Sequence, residues 1–195
     1  MAPSPLISAA EVLPLIGRAV FLDARAGPDA DRAYAGAHLS GAIHLDAESA
    51  LAVPGDPSDG GRHPLPALDA WLERLGACGV RPGTPVIVYD SAGGGMAAAR
   101  AWWMLRAVGH EPLAVIDGGW QAVVDAGLPI ESGIAIGSRS EKYPSAIERW
   151  PTVDANWVER VRQDPTWRLI DARAPERYQG SSEPLDPVAG HIPGA

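Results

Sequence analysis

One pattern occurs twice along the chain. It reads first as Leu22-Asp23-Ala24-Arg25, Tyr34-Ala35-Gly36 and His38-Leu39-Ser40-Gly41-Ala42. It returns as Ile170-Asp171-Ala172-Arg173, Tyr178-Gln179-Gly180 and His191-Ile192-Pro193-Gly194-Ala195. The aspartates stand 171 − 23 = 148 positions apart and the histidines 191 − 38 = 153, so the second copy has gained five residues, placed in the proline-containing stretch 181–187. A period this long marks duplicated domains, since solenoid units are only about 20–50 residues long.

Within the first copy, short apolar runs alternate with amphipathic segments. Leu6-Ile7 leads into Ser8-Ala9-Ala10-Glu11, a capping-box signature at a helix start. Residues 19–24 and 113–116 are apolar runs of the kind buried on both faces of a parallel sheet, and 85–89 (PVIVY) is the clearest strand. Leu68, Trp71, Leu72 and Leu75 recur at helical spacing, with Gly79 placed to close that helix in a left-handed conformation. A glycine-rich turn over 91–95 precedes a helix over 96–108, and Gly118-Gly119 precedes a short helix over 120–125. Strands alternating with helices at this spacing predict an α/β fold, a parallel sheet flanked by helices. One complete domain is expected over 8–133, a linker over 134–151, and the beginning of a second domain over 152–195. In the latter, a helix over 154–162 and a strand over 167–171 are expected.

Bulk chemistry narrows the setting. A net charge of −8 argues against nucleic acid or an anionic membrane as partner. A single cysteine rules out an internal disulfide framework and suits a reducing compartment. No apolar run reaches the roughly 20 residues of a membrane span, and residues 1–17 lack the basic start of a signal peptide. A cytoplasmic protein is expected.

Few residues suggest chemistry. Cys78, the only thiol, falls at a helix end and not in a strand-to-helix loop, so it is expected to be a packing residue. Asp90 follows the 85–89 strand at the mouth of the glycine-rich turn. A fixed carboxylate there opposes an anionic ligand and is expected to cap the free N–H groups instead. His38 and His191 share a repeat position and are expected to be hydrogen-bonded structural residues. His44, His63 and His110 show no metal-ligand spacing, so no metal is expected. Ser91 lacks a nucleophile-elbow setting. The seven tryptophans read as core and interface packing.

The ordered motifs resemble the two-domain rhodanese family of thiosulfate and 3-mercaptopyruvate sulfurtransferases. They are Asp-Ala-Arg after the first strand, Gly-Ala-His-Leu-Ser-Gly-Ala (36–42), Val-Ile-Val-Tyr-Asp (86–90), Val-Ile-Asp-Gly-Gly-Trp (115–120), Arg-Tyr-x-Gly (177–180), Glu-Pro (183–184) and Gly-His-Ile-Pro-Gly-Ala (190–195). The resemblance implies two rhodanese domains, the second carrying a cysteine persulfide in the loop that Asp90 occupies in the inactive first. His38 to Asp90 is 90 − 38 = 52 residues, and 191 + 52 places that cysteine near position 243, past Ala195. By the same resemblance Arg173 matches a substrate-binding arginine. The alternative for it is an ion pair with Asp171, which would also account for Arg25. The family's mercaptopyruvate-selective members carry a second arginine just after Glu-Pro; Leu185 and Asp186 stand here, which leans towards thiosulfate. The implied partners are a small-molecule sulfur donor and a thiophilic acceptor, with no cofactor, and the 195 residues by themselves are expected to be inactive. A non-catalytic rhodanese-like binding module is the alternative. The related phosphatases need a His-Cys-x5-Arg loop that is missing.

Overall fold

A computed structural model of the chain describes residues 4–53, 55–56, 61–137 and 141–195. The chain divides into two compact units, residues 1–150 and 151–195.

The first unit opens with β1 (Leu6–Ile7) and α1 (Ala9–Val12). Glu11 closes the turn between them: its carboxylate accepts the Ser8 amide at 3.0 Å and the Ser8 hydroxyl at 2.6 Å. There follow β2 (Val20–Asp23), α2 (Ala30–Gly36), β3 (His38–Leu39), β4 (Ala42–His44), α3 (Leu68–Ala77), β5 (Val86–Tyr89), α4 (Ala97–Ala107), β6 (Leu113–Ile116), α5 (Gly119–Asp125) and β7 (Ile130–Glu131). Five strands form one sheet in the order β1-β6-β5-β2-β4, and every pairing is parallel. β3 and β7 make a separate antiparallel pair.

Side-chain alternation along the central strands sorts the core. Leu22, Val86, Val88 and Val115 point to one face, where Trp71 and Leu75 of α3 and Met104 and Leu105 of α4 bury against them. Phe21, Ile87, Tyr89 and Ile116 point to the other, against Val12 and Val123. Apolar side chains on both faces are what a parallel sheet between two helix layers requires. Gly79 takes φ +76° and closes α3 in the left-handed region.

The sequence reading passed over α2, β3, β4 and β7. The strands are two or three residues long, too short for a period-2 pattern, and are defined by distant pairing, Leu39 opposite Ile130. Part of the stretch expected as a linker lies against the first unit. Tyr143 donates its amide to the Leu72 carbonyl at 3.0 Å, and Trp150 donates its indole N–H to the Pro66 carbonyl at 2.7 Å. Residues 138–140 of that stretch lie outside the described ones.

The second unit contains α6 (Ala155–Val161), with the Asp154 carboxylate accepting the Trp157 amide at 2.7 Å, and α7 (Pro175–Tyr178). Trp157 and Trp167 meet edge to face, 4.7 Å between centroids. The strand expected over 167–171 is corrected: these residues are not strand. A β-strand is defined by its ladder, and among the described residues none pairs with this stretch.

Candidate active site

In open parallel sheets ligands gather beyond the carboxyl ends of the strands. Here β2 ends at Asp23 and β5 at Tyr89, side by side in register. Arg25 folds back on Asp23, its Nε donating to both carboxylate oxygens at 3.0 Å and its Nη2 to Oδ2 at 2.6 Å. The same Nη2 donates to the Ala37 carbonyl at 2.7 Å. The guanidinium lies 4.5 Å above the Trp120 ring, which stacks on Tyr89. Tyr89 donates its hydroxyl to Asp23 Oδ2 at 2.8 Å and accepts the Leu39 amide at 3.2 Å. Burial, with Asp23 adding to it, pushes the Tyr89 hydroxyl far above its ordinary pKa. The cluster is a rigid, satisfied floor.

Above it, β5 runs into residues 90–96 and then α4. The Asp90 carboxylate turns into this loop and accepts four backbone amides: Ala92 at 2.8 Å and Gly94 at 2.7 Å on Oδ1, Met96 at 3.2 Å and Ala98 at 3.0 Å on Oδ2. Converging N–H groups at a helix start form an anion cradle, and the chain's own carboxylate fills this one. The turn after β6 locks the loop from behind, Trp120 donating its amide to the Asp90 carbonyl at 2.8 Å. Gly119 lies so close that a Cβ there would be 2.4 Å from the Asp90 carbonyl oxygen.

The single thiol lies elsewhere. Cys78 caps the end of α3 inside the core, and burial pushes its thiol up to about 11. The thiolate, the reactive form, is suppressed there. Among the described residues no three His, Cys, Asp or Glu side chains are grouped to hold a metal, and no helix is long and apolar enough to cross a membrane.

The second unit rebuilds the frame. Arg173 Nη2 donates to Asp171 Oδ2 at 2.6 Å and to the Gly190 carbonyl at 2.6 Å, as Arg25 does to Asp23 and Ala37. The Arg173 guanidinium and then its backbone amide, both bonded to Asp171, draw that carboxyl down to about 2. His191 Nδ1–H donates to the Tyr178 carbonyl at 2.7 Å, as His38 donates to Tyr34 at 2.8 Å. Both rings stack on those tyrosines, with centroids 3.8 and 4.1 Å apart. The Tyr178 hydroxyl donates to the Ala195 carbonyl at 2.7 Å, and that of Tyr34 to Ala42 at 2.8 Å.

One part is not duplicated. Arg177 pairs through Nε and Nη2 with both oxygens of Glu183, and through Nη2 with Asp186 at 2.9 Å. Glu183 also accepts the Leu185 and Asp186 amides, each at 3.1 Å, and Arg173 Nη1 at 3.5 Å. The residue before Tyr34 in the first copy is Ala33. Sequence reasoning singled out Arg173 and passed over Arg177; aligning the copies at their Tyr-x-Gly would have marked it.

The fold is an α/β domain with a parallel sheet flanked by helices, and the comparisons place it in a family. Residues 8–126 match the rhodanese-like domain, and the chain belongs to the rhodanese family. It is 38% identical over 169 residues to a probable 3-mercaptopyruvate sulfurtransferase of Pseudomonas aeruginosa, covering 84% of this chain and 57% of the relative. A putative thiosulfate sulfurtransferase of Mycobacterium tuberculosis is 36% identical over 174 residues, covering 86% and 58%. The structure of 3-mercaptopyruvate sulfurtransferase from Leishmania major superposes with a TM-score of 0.77 at 29% identity, over 100% of this chain and 54% of that one. The corresponding Escherichia coli structure gives 0.77 at 27% identity, over 98% and 73%. The chain thus spans somewhat over half the length of these curated relatives.

Proposed function

We propose that this chain is part of a sulfurtransferase that moves sulfane sulfur from thiosulfate, or from 3-mercaptopyruvate, to a thiophilic acceptor. Residues 8–133 are its inactive rhodanese domain, 134–151 its linker, and 152–195 the beginning of the domain that does the chemistry. The observation that carries this reading is the cradle of four amides closed by Asp90. The same loop with cysteine in that position would hold a thiolate, and then a persulfide, against N–H donors that favour negative charge.

The reaction is covalent and alternates two half-steps. The thiolate attacks the outer sulfur of thiosulfate; the S–S bond breaks and sulfite leaves with its electron pair. An acceptor such as cyanide then takes the outer sulfur as thiocyanate, and the thiolate returns. That cysteine is not among these 195 residues, whose one cysteine is Cys78. The anionic donor needs cations beside the loop. Arg173 is one candidate, although its fork already grips Asp171 and Gly190 in the manner of Arg25. Arg177 is the other; it is likewise engaged, by Glu183 and Asp186, but the first copy has Ala33 in its place. A cytoplasmic setting, where a single unpaired thiol persists, belongs to this proposal.

The closed Asp90 cradle also suits a second reading, a non-catalytic rhodanese module used for binding. Thiosulfate:cyanide transfer separates the two, assayed on the 195-residue chain and on the longest product of its reading frame. The short chain is expected to show no turnover, with or without Cys78→Ser, while a longer product turns over and takes up one sulfur atom. No turnover in the longest product supports the binding module. Turnover in the short chain that Cys78→Ser abolishes overturns the assignment of the nucleophile.

A further inference from the structure

The carboxyl ends of β2 and β5 carry the cradle, and the opposite end of the sheet carries a cavity. It measures about 710 Å³, lies where β1, β5 and β6 begin, and is bounded by Trp102 and Arg106 of α4. Single small molecules occupy cavities of roughly 300–1,000 Å³. Each of the three strands is preceded by a proline, and Pro5, Pro85 and Pro112 all line the cavity. A proline has no N–H. The carbonyl of each is already bonded, to the amides of Val115 at 2.9 Å, Val20 at 2.8 Å and Val86 at 3.1 Å respectively. The strand starts therefore offer a ligand no backbone donor and keep their acceptors within the sheet. Ile7, Leu15, Trp102 and Ala114 complete an apolar wall.

The polar side chains of the lining are exposed and already engaged. The Ser4 hydroxyl oxygen accepts the Leu6 amide at 3.1 Å. Arg106 and Glu111 form an ion pair with each other, both side chains about half exposed. Charge at the rim is thus matched locally, and the apolar wall holds none.

We propose that this cavity binds one uncharged, predominantly apolar small molecule, an aromatic or branched ring system seated against Trp102. A charged ligand would lose hydration against walls that carry no counter-charge. An added peptide strand is a poorer occupant, because strand addition needs free backbone groups and the three prolines supply no donor. The site does not rest on the sulfur-transfer reading. It lies at the other end of β5 from Asp90, about 13 Å along a four-residue strand.

The probe for the test is N-phenyl-1-naphthylamine, which is uncharged and aromatic and fluoresces more strongly in apolar surroundings. Titrated into the 195-residue chain, it is expected to saturate at one molecule per chain. It should slow hydrogen exchange over 6–16 and 113–116 and leave 91–98 unchanged. Ala114→Leu, which fills the cavity, should weaken binding by about tenfold or more. Leu15→Lys, which places a charge in the wall, should do the same and serves if the first variant fails to fold. Arg106→Gln should change binding by less than about twofold, since the ion pair is exposed. The anionic analogue 8-anilino-1-naphthalenesulfonate should bind at least about fivefold more weakly. Absence of saturable binding, or slowing confined to other segments, overturns the proposal. Equal or tighter binding of the sulfonate, or a tenfold loss in Arg106→Gln, overturns it by showing a site that reads charge. Loss of binding in the longest product of the reading frame, or a dimer of the chain that the probe dissociates, overturns it by showing that protein covers the cavity.

Discussion

The Asp90 carboxylate accepts the Gly94 amide at 2.7 Å, the shortest of the four hydrogen bonds by which one side chain closes the loop between β5 and α4. Asp90 is 2% exposed, and the Gly94 and Ala98 bonds are buried. Asp90→Ala would leave those donors without a partner. Buried donors so orphaned cost about 1–3 kcal/mol each, and water entering at the half-exposed amides offsets part of that, so a loss of about 2–3 kcal/mol is expected. Urea unfolding measures it; a loss below about 0.5 kcal/mol would mean that the loop closes without the carboxylate.

Gly119 binds the same loop from the opposite side. It takes φ +58°, and a Cβ would come within 2.4 Å of the Asp90 carbonyl oxygen and 3.2 Å of the Gly94 nitrogen. The obstacles are backbone atoms, so they yield only if the loop moves. Gly119→Ala is expected to destabilise the first unit by at least about 2 kcal/mol and to speed hydrogen exchange at Gly94 and Ala98. Gly127, also at positive φ but with nothing within 4 Å, isolates the backbone component: Gly127→Ala should cost less.

His110 ties the stretch after β7 to the core. Its Nε2–H donates to the Thr84 carbonyl at 3.0 Å, so Nδ1 is the acceptor that receives the Tyr143 hydroxyl at 3.0 Å. Burial lowers its pKa from the ordinary 6.5. The folded state therefore holds the neutral ring, while the unfolded chain takes up a proton near that ordinary value. The contribution is complete above about pH 6.5 and is lost as the pH falls through the lowered folded value. Urea midpoints should fall between pH 7 and pH 5, and His110→Phe should flatten that slope while lowering stability at both. An unchanged slope in the variant would assign the dependence to other groups. At pH 7.5, Tyr143→Phe should cost about 1 kcal/mol.

Much of the first unit was legible because its sequence states it locally. VIVY over 86–89 is apolar at every position, and the glycine-rich turn and the amphipathic pattern after it place α4 within a residue. Asp90 was legible as a cap for the same reason, since a carboxylate at a helix start has few other partners. Illegible were features made by residues far apart. The Tyr89–Asp23 bond spans 66 positions, and Glu131 reaches Gly41 across 90. Residues 167–171 misled in the opposite direction. Their apolar pattern suits a strand, yet a strand needs a neighbour, and among the described residues they have none. At the site, Arg173 drew notice through its motif, while Arg177 becomes distinctive only beside Glu183, six residues on and brought back by α7.

The order of residues alone established a motif that occurs twice, a strand–glycine turn–helix unit, and a carboxylate at the mouth of that turn. These depend on periodicity, turn chemistry and spacing, which act over a few positions of chain. Only the tertiary structure decided that this carboxylate meets four amides at once, that Tyr89 bridges Asp23 and Leu39, and that Arg173 grips Asp171 as Arg25 grips Asp23. Each of these is a hydrogen-bonding geometry, and packing sets such partnerships where local pattern cannot.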